Sequence, residues 1–191
     1  MNFSLYNILS QLVPGFIVYA AVAYTFDIDY KGLDPLVLTA IAYSIGFVIN
    51  SISAWIEGSF FRILGGLPSD ELLKGKSCGR IKFYEWDKCK TLLKERNGGA
   101  DPKTSALFGT AMRVANNEGR IQEMSNEYAF ARGMLIAFVG AGLILALDMH
   151  CEVWFWLTYI LLVLITAYRT KEKGYYYAKE VLTTALNKLE A

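Results

Sequence analysis

One histidine and three cysteines in 191 residues are too few for a histidine-rich metal site. Cys78 and Cys89 stand eleven apart without a paired cysteine or histidine nearby, so no zinc ligand set is spelled out and a reduced pair is expected. Charge is scarce as well. Only 19% of residues are charged, and the net charge is +1, which excludes a basic nucleic-acid binder; no direct nucleic-acid binding is expected. Internal repeats and low-complexity stretches are missing too. What the chain has in surplus is apolar residues, 54% of the total, against about 45–50% in soluble domains. That surplus excludes a disordered chain and argues against a small soluble enzyme.

The apolar residues sit in four blocks. Leu5 to Phe26 and Pro35 to Ile56 carry no formal charge, and each has the length of about 20 residues needed to cross a hydrocarbon core. A third block reaches that length if it begins near Tyr128, with Arg132 in its first turn and its side chain snorkelling to the headgroups. The fourth, Val153 to Tyr168, is short but flanked by Trp154, Phe155, Trp156 and Tyr168, which suit the aromatic belts of a membrane. The first block lacks the basic n-region of a secretory signal, since no Lys or Arg precedes Lys31, and is expected to be retained. Pro14 within it suggests that Leu5 to Gln11 lies along the interface and that the steeper span starts at Pro14.

The expected fold is all-α and polytopic: residues 1–56 hold transmembrane helices 1 and 2, 57–127 a cytosolic helical insert, 128–168 helices 3 and 4, and 169–191 an amphipathic tail helix. Charge counting gives the orientation. Of the 19 Lys and Arg, 18 lie in residues 57–132 or from Arg169 onward, which places insert, tail and both termini in the cytoplasm. Cys151, between the last two blocks, then lies outside. Within the insert, Pro68-Ser69-Asp70-Glu71 reads as a helix start with Ser69 as N-cap. A helix over Phe83 to Arg96 and another opening at Asp101-Pro102 follow, broken at Asn116-Asn117-Glu118-Gly119. In the tail, Ala178, Val181, Leu182, Ala185, Leu186 and Leu189 form a narrow apolar stripe. It either packs on the insert or offers a docking surface, for which Phe83, Trp86, Val181, Leu182 and Leu186 are the candidates.

Chemistry-bearing sets are incomplete. Gly75-Lys76-Ser77 ends like a phosphate-binding P-loop, but Asp70 stands where the first glycine is required and no strand precedes it, so a turn is expected. An enzyme would need carboxylates such as Asp70, Glu71, Glu85 and Asp87 to converge. No catalytic residue, cofactor or metal ligand is assigned, and a non-enzymatic protein is expected. Polar and small residues inside the spans are more telling. Ala42, Gly46 and Asn50 share one face of the second span, and Gly133, Ala137 and Ala141 form a matching track on the third. These tracks pack the helices against each other, with Asn50 as an interhelical hydrogen bond, or they line a subunit interface or narrow pore.

Three local patterns, Leu12-Val13-Pro14-Gly15-Phe16, Leu67-Pro68-Ser69-Asp70 and Tyr128-Ala129-Phe130-Ala131-Arg132, accompany this layout. With them the chain resembles small four-span bacterial inner-membrane proteins of antiphage defence loci, such as the KwaA-type membrane subunits of Kiwa systems; the four-span accessory proteins of type VI CRISPR loci are similar in plan. The resemblance implies antiviral defence by a homo-oligomer that contacts membrane lipid, senses infection at the inner membrane and engages a cytosolic protein partner as sensor or scaffold. The alternative is a pore- or channel-forming effector that depolarises the cell.

Overall fold

Long uncharged runs and helically spaced apolar residues produce seven helices among the residues described by the computed structural model, which are 5–29, 32, 34–98, 102–116, 119–150 and 152–190. They are α1 (Leu5–Thr25), α2 (Pro35–Ile63), α3 (Pro68–Leu72), α4 (Trp86–Arg96), α5 (Thr104–Ala115), α6 (Gly119–Met149) and α7 (Val153–Glu190). No strand occurs among the described residues; the only β feature there is an isolated bridge between Cys78 and Ile81. The fold is all-α. Four of the helices, α1, α2, α6 and α7, contain stretches long and apolar enough to cross a bilayer, and the chain is a multi-pass membrane protein in plan.

The helix ends follow from particular residues. Asp34 accepts a hydrogen bond from the Leu36 amide at 2.8 Å, capping α2 just ahead of Pro35, whose missing N–H costs nothing in a first turn. At the other end Gly65 takes a φ of +106°, and the Gly66 amide reaches back to the Phe61 carbonyl at 2.8 Å, the bond of a left-handed helix terminus. Asp27 does the same work after α1, with a φ of +50° and the Ile28 amide bonded to the Ala23 carbonyl at 3.0 Å. Several expectations need correcting. Ser69 is not an N-cap: Leu67 holds that place without a side-chain bond, Pro68 begins α3, and Ser69 is buried. The α4 helix starts at Trp86, leaving Phe83 in the preceding loop. Pro14 lies inside one continuous helix, so the chain does not change direction by breaking there. The tail is not a separate helix either, because α7 runs unbroken through Gly174. Asp101, Asn117, Glu118 and Cys151 lie outside the described residues.

The chain divides into two compact units: residues 1–57 with 126–170, and residues 58–125 with 171–191. In the first, backbones meet closely. A Cβ on Gly15 would overlap the Ala42 carbonyl, and one on Gly46 would overlap the Gln11 carbonyl, so α1 and α2 touch through glycine alone at these points. A Cβ on Gly142 would enter the Tyr159 ring, and the Tyr159 hydroxyl donates to the Val139 carbonyl at 3.3 Å, joining α6 to α7. The outward surface of α7 is apolar and open, with Trp154 80% and Leu164 62% exposed, as a lipid-facing helix requires.

The second unit has a core of its own. Leu72, Leu73, Ile81, Phe83, Cys89, Leu93, Leu107 and Ala111 from the central segment close on Tyr175, Ala178, Val181, Leu182, Ala185 and Leu186 from the end of α7. Two ion pairs hold the exterior of this packing: Arg120 with Glu180 at 2.9 Å and Lys88 with Glu190 at 2.7 Å. Such solvent-exposed pairs add little stability, and the buried apolar area carries most of it.

Candidate functional site

Ionisable side chains on helices that can span a membrane need partners, and one cluster in the first unit supplies them. Arg132 on α6 forms an ion pair with Glu57 on α2. Its Nε donates to the Ser53 hydroxyl at 3.1 Å, and the Tyr128 hydroxyl donates to the same Glu57 carboxylate at 2.8 Å. The guanidinium also lies 5.2 Å from the centre of the Tyr128 ring, one helical turn earlier, a cation–π distance. Ser53 is almost wholly buried, and its hydroxyl donates onward to the Asn50 carbonyl at 2.7 Å. Arg132 is therefore tied to α2 rather than snorkelling free to headgroups, which corrects the expectation. The signal lay in the sequence: an arginine at the start of a span demands a counterion, and Glu57 is the carboxylate that closes the second apolar block.

The small-residue tracks lie beside this cluster. Ala42, Gly46 and Gly133 are buried, and so are Ala137 and Ala141. Asn50 explains how the seam tolerates a proline. Pro14 has no amide hydrogen to offer the Ser10 carbonyl four residues back, and the Asn50 Nδ2 donates to that carbonyl at 3.3 Å. The Asn50 Oδ1 sits where a Cβ on Gly133 would go, so a glycine on α6 leaves room for an asparagine on α2 that mends α1. That Oδ1, the Gln11 Oε1 and the Tyr19 hydroxyl are buried and make no hydrogen bond among the described residues. On the α2 track, Ala42 and Gly46 meet α1, and Asn50 is wedged between α1 and α6.

Further along the same unit, an apolar crevice of about 510 Å³ opens among α1, α6 and α7, with Ile17, Ala21, Phe138, Ala141 and Leu162 on its walls. Among the described residues no charged group lines it.

The docking candidates require the largest correction. Val181 and Leu182 are fully buried, Leu186 is 1% exposed and Phe83 is buried as well. They are the core of the second unit, so no partner reaches them. A narrow stripe is buried when neighbouring segments supply matching apolar faces, and α4 and α5 do so through Cys89, Leu93, Leu107 and Ala111. Trp86 is half-buried and packs on the edge of this core. Burial pushes the Cys89 thiol up to about 11, with the Glu85 charge adding to the effect.

The turn between α3 and α4 holds a feature the sequence only hinted at. Glu71, itself buried, bonds Lys76 at 2.7 Å and approaches Lys74 at 3.6 Å, and the Lys76 hydrogen bond holds its carboxyl below the usual carboxylate range despite burial. Gly75 and Gly79, at φ of +74° and +56°, reverse the chain around Lys76 and Ser77. This geometry is a turn without the preceding strand of a P-loop. Among the described residues no group of three or more His, Cys, Asp or Glu side chains is placed to hold a metal. No protein-family model, curated protein or solved structure matches the chain.

Proposed function

We propose that the chain is a non-enzymatic, homo-oligomeric sensor or scaffold of a bacterial inner membrane, with both termini in the cytoplasm, that serves antiphage defence by holding a cytosolic effector at the membrane. The observation that carries this reading is the second unit. Segments that leave and re-enter the apolar helices close on one another around a complete core, and this yields a folded platform with a charged exterior rather than a set of loops. The cation distribution supports the cytoplasmic side for that platform. The open apolar face of α7 supports contact with lipid or with a second copy.

Because the tail stripe is core, the partner surface is assigned to the exposed exterior, where Arg96 and Arg113 project from α4 and α5. The test joins phage challenge of bacteria producing the full chain to its purification in mild detergent. A cytosolic protein that copurifies from protected cells, and is lost together with protection in an Arg96→Glu, Arg113→Glu variant that still folds, is the expected result. Protection by a chain that copurifies with nothing overturns the reading, and dye leakage from liposomes carrying the chain alone replaces it with the pore.

A further inference from the structure

The turn after α3 builds a small cavity whose polar walls are all hydrogen-bond donors or neutral groups. Its volume is about 240 Å³, and Lys76, Ser77, Lys82, Tyr84 and Trp86 line it around the Gly75 backbone. Among the described residues no carboxylate lines it. The segment from Leu73 to Tyr84 carries Lys74, Lys76, Arg80 and Lys82 and no acidic residue. Of these, Lys76 is anchored by the buried Glu71, which fixes its position and leaves ammonium protons to donate. Lys82 and Ser77 make no hydrogen bond or ion pair within the described residues, nor does the Trp86 indole N–H.

Shape and field agree with the donor set. Gly75 is required here, because a Cβ would lie 2.7 Å from the Trp86 Nε1; the indole therefore lies directly on the turn and forms one wall. Trp86 is also the first residue of α4, whose N-cap Glu85 makes no side-chain capping bond, so the positive end of that helix dipole starts at a residue of the cavity wall. Glu85 and Asp87 are the acids nearest in sequence; both are exposed and neither lines the cavity.

We propose that this cavity binds a phosphate group, held by Lys76, Lys82 and Ser77, with the organic remainder of the ligand against Trp86 and Tyr84. Charge-assisted hydrogen bonds to phosphate suit two lysines and a hydroxyl, and an indole beside a phenol ring suits a planar or apolar remainder. The phosphate can belong to a soluble nucleotide or to a lipid headgroup. The site holds whether or not the chain acts as a scaffold.

The experiment titrates full-length protein in non-ionic detergent with adenosine monophosphate, with inorganic phosphate and with dihexanoyl phosphatidylglycerol below its micelle concentration, following intrinsic tryptophan fluorescence and calorimetry. Saturable binding of the nucleotide, weakened at least about tenfold in Lys82→Gln, restored in Lys82→Arg and unchanged in Lys103→Gln at an exposed position away from the cavity, supports a soluble ligand. The same pattern with the short-chain lipid alone supports a headgroup. Among the described residues Lys82 has no partner to lose, so its variant keeps the fold; Lys76→Gln is read beside it. Binding of none of the three probes, or binding that Lys76→Gln and Lys82→Gln both leave unchanged, overturns the proposal.

Discussion

Asn50 shows how a single side chain can settle a helix pair. Its amide serves the carbonyl that Pro14 leaves free, so the two residues are energetically coupled although they belong to different helices. Pro14→Ala restores an amide that bonds the Ser10 carbonyl, and Asn50→Ala then costs less than it does beside proline. A double-mutant cycle on the detergent-solubilised protein is expected to give a coupling of about 0.5–1 kcal/mol; a coupling of zero rejects the assignment. The glycines divide by what a methyl group would strike. Gly15→Ala and Gly46→Ala overlap backbone carbonyls, whereas Gly133→Ala overlaps the Asn50 side-chain amide and touches the Pro14 ring at ordinary contact distance. The first two are expected to cost about 1–3 kcal/mol or more, and Gly133→Ala clearly less, read from unfolding midpoints. That Asn50 seeks an interhelical bond was legible in the sequence, because an amide in an apolar block must find a partner. The identity of that partner was not, since it depends on a carbonyl 40 residues away being freed by proline. The Arg132–Glu57 pair is similar: each charge was visible, and their meeting across 75 residues is a matter of packing.

Among the elements, the end of α7 teaches most about what periodicity can convey. The spacing of Val181, Leu182 and Leu186 identifies a helix with one apolar face, and the structure contains that helix. Whether such a face is buried by its own chain or left for another depends on what neighbouring segments provide, and here Leu93 and Leu107 close over it. Leu182→Ala is therefore expected to destabilise the second unit by about 2–5 kcal/mol, measured by thermal unfolding, while Tyr84→Ala on the exposed turn stays near the native value. The Cys89 thiol reports the same core. It is buried, donates to the Leu182 carbonyl at 3.7 Å and is shifted up to about 11. A thiol whose native pKa exceeds its unfolded value favours the fold below the unfolded pKa and loses that contribution as pH rises through the native one. At pH 8 Cys89 is expected to resist maleimide in folded protein and to react promptly in urea, with half-buried Cys78 reacting faster than Cys89 before denaturation. Equal native rates for the two would show that α4 does not hold Cys89 in the core.

At the scale of the molecule, charge separates as apolar length does. The unit made of residues 58–125 and 171–191 holds 16 of the 19 basic residues but 11 of the 18 acidic ones, so a near-neutral chain consists of one acidic and one basic part. The membrane plan was legible because span length and charge exclusion are properties of composition alone. The turn cavity was not, because it takes two left-handed glycines and a tryptophan eleven residues after Gly75 to bring its walls together. The plan as a whole rests on the basic unit lying in the cytoplasm and the short acidic loops lying outside. It is tested most directly by impermeant maleimide labelling of bacterial spheroplasts producing Glu152→Cys or Glu95→Cys chains in a Cys78→Ser, Cys151→Ser background, both positions being exposed. Cysteine at 152 is expected to label in intact spheroplasts, and cysteine at 95 only after lysis; labelling of 95 from outside, with 152 protected until lysis, would contradict the topology on which the proposed function depends.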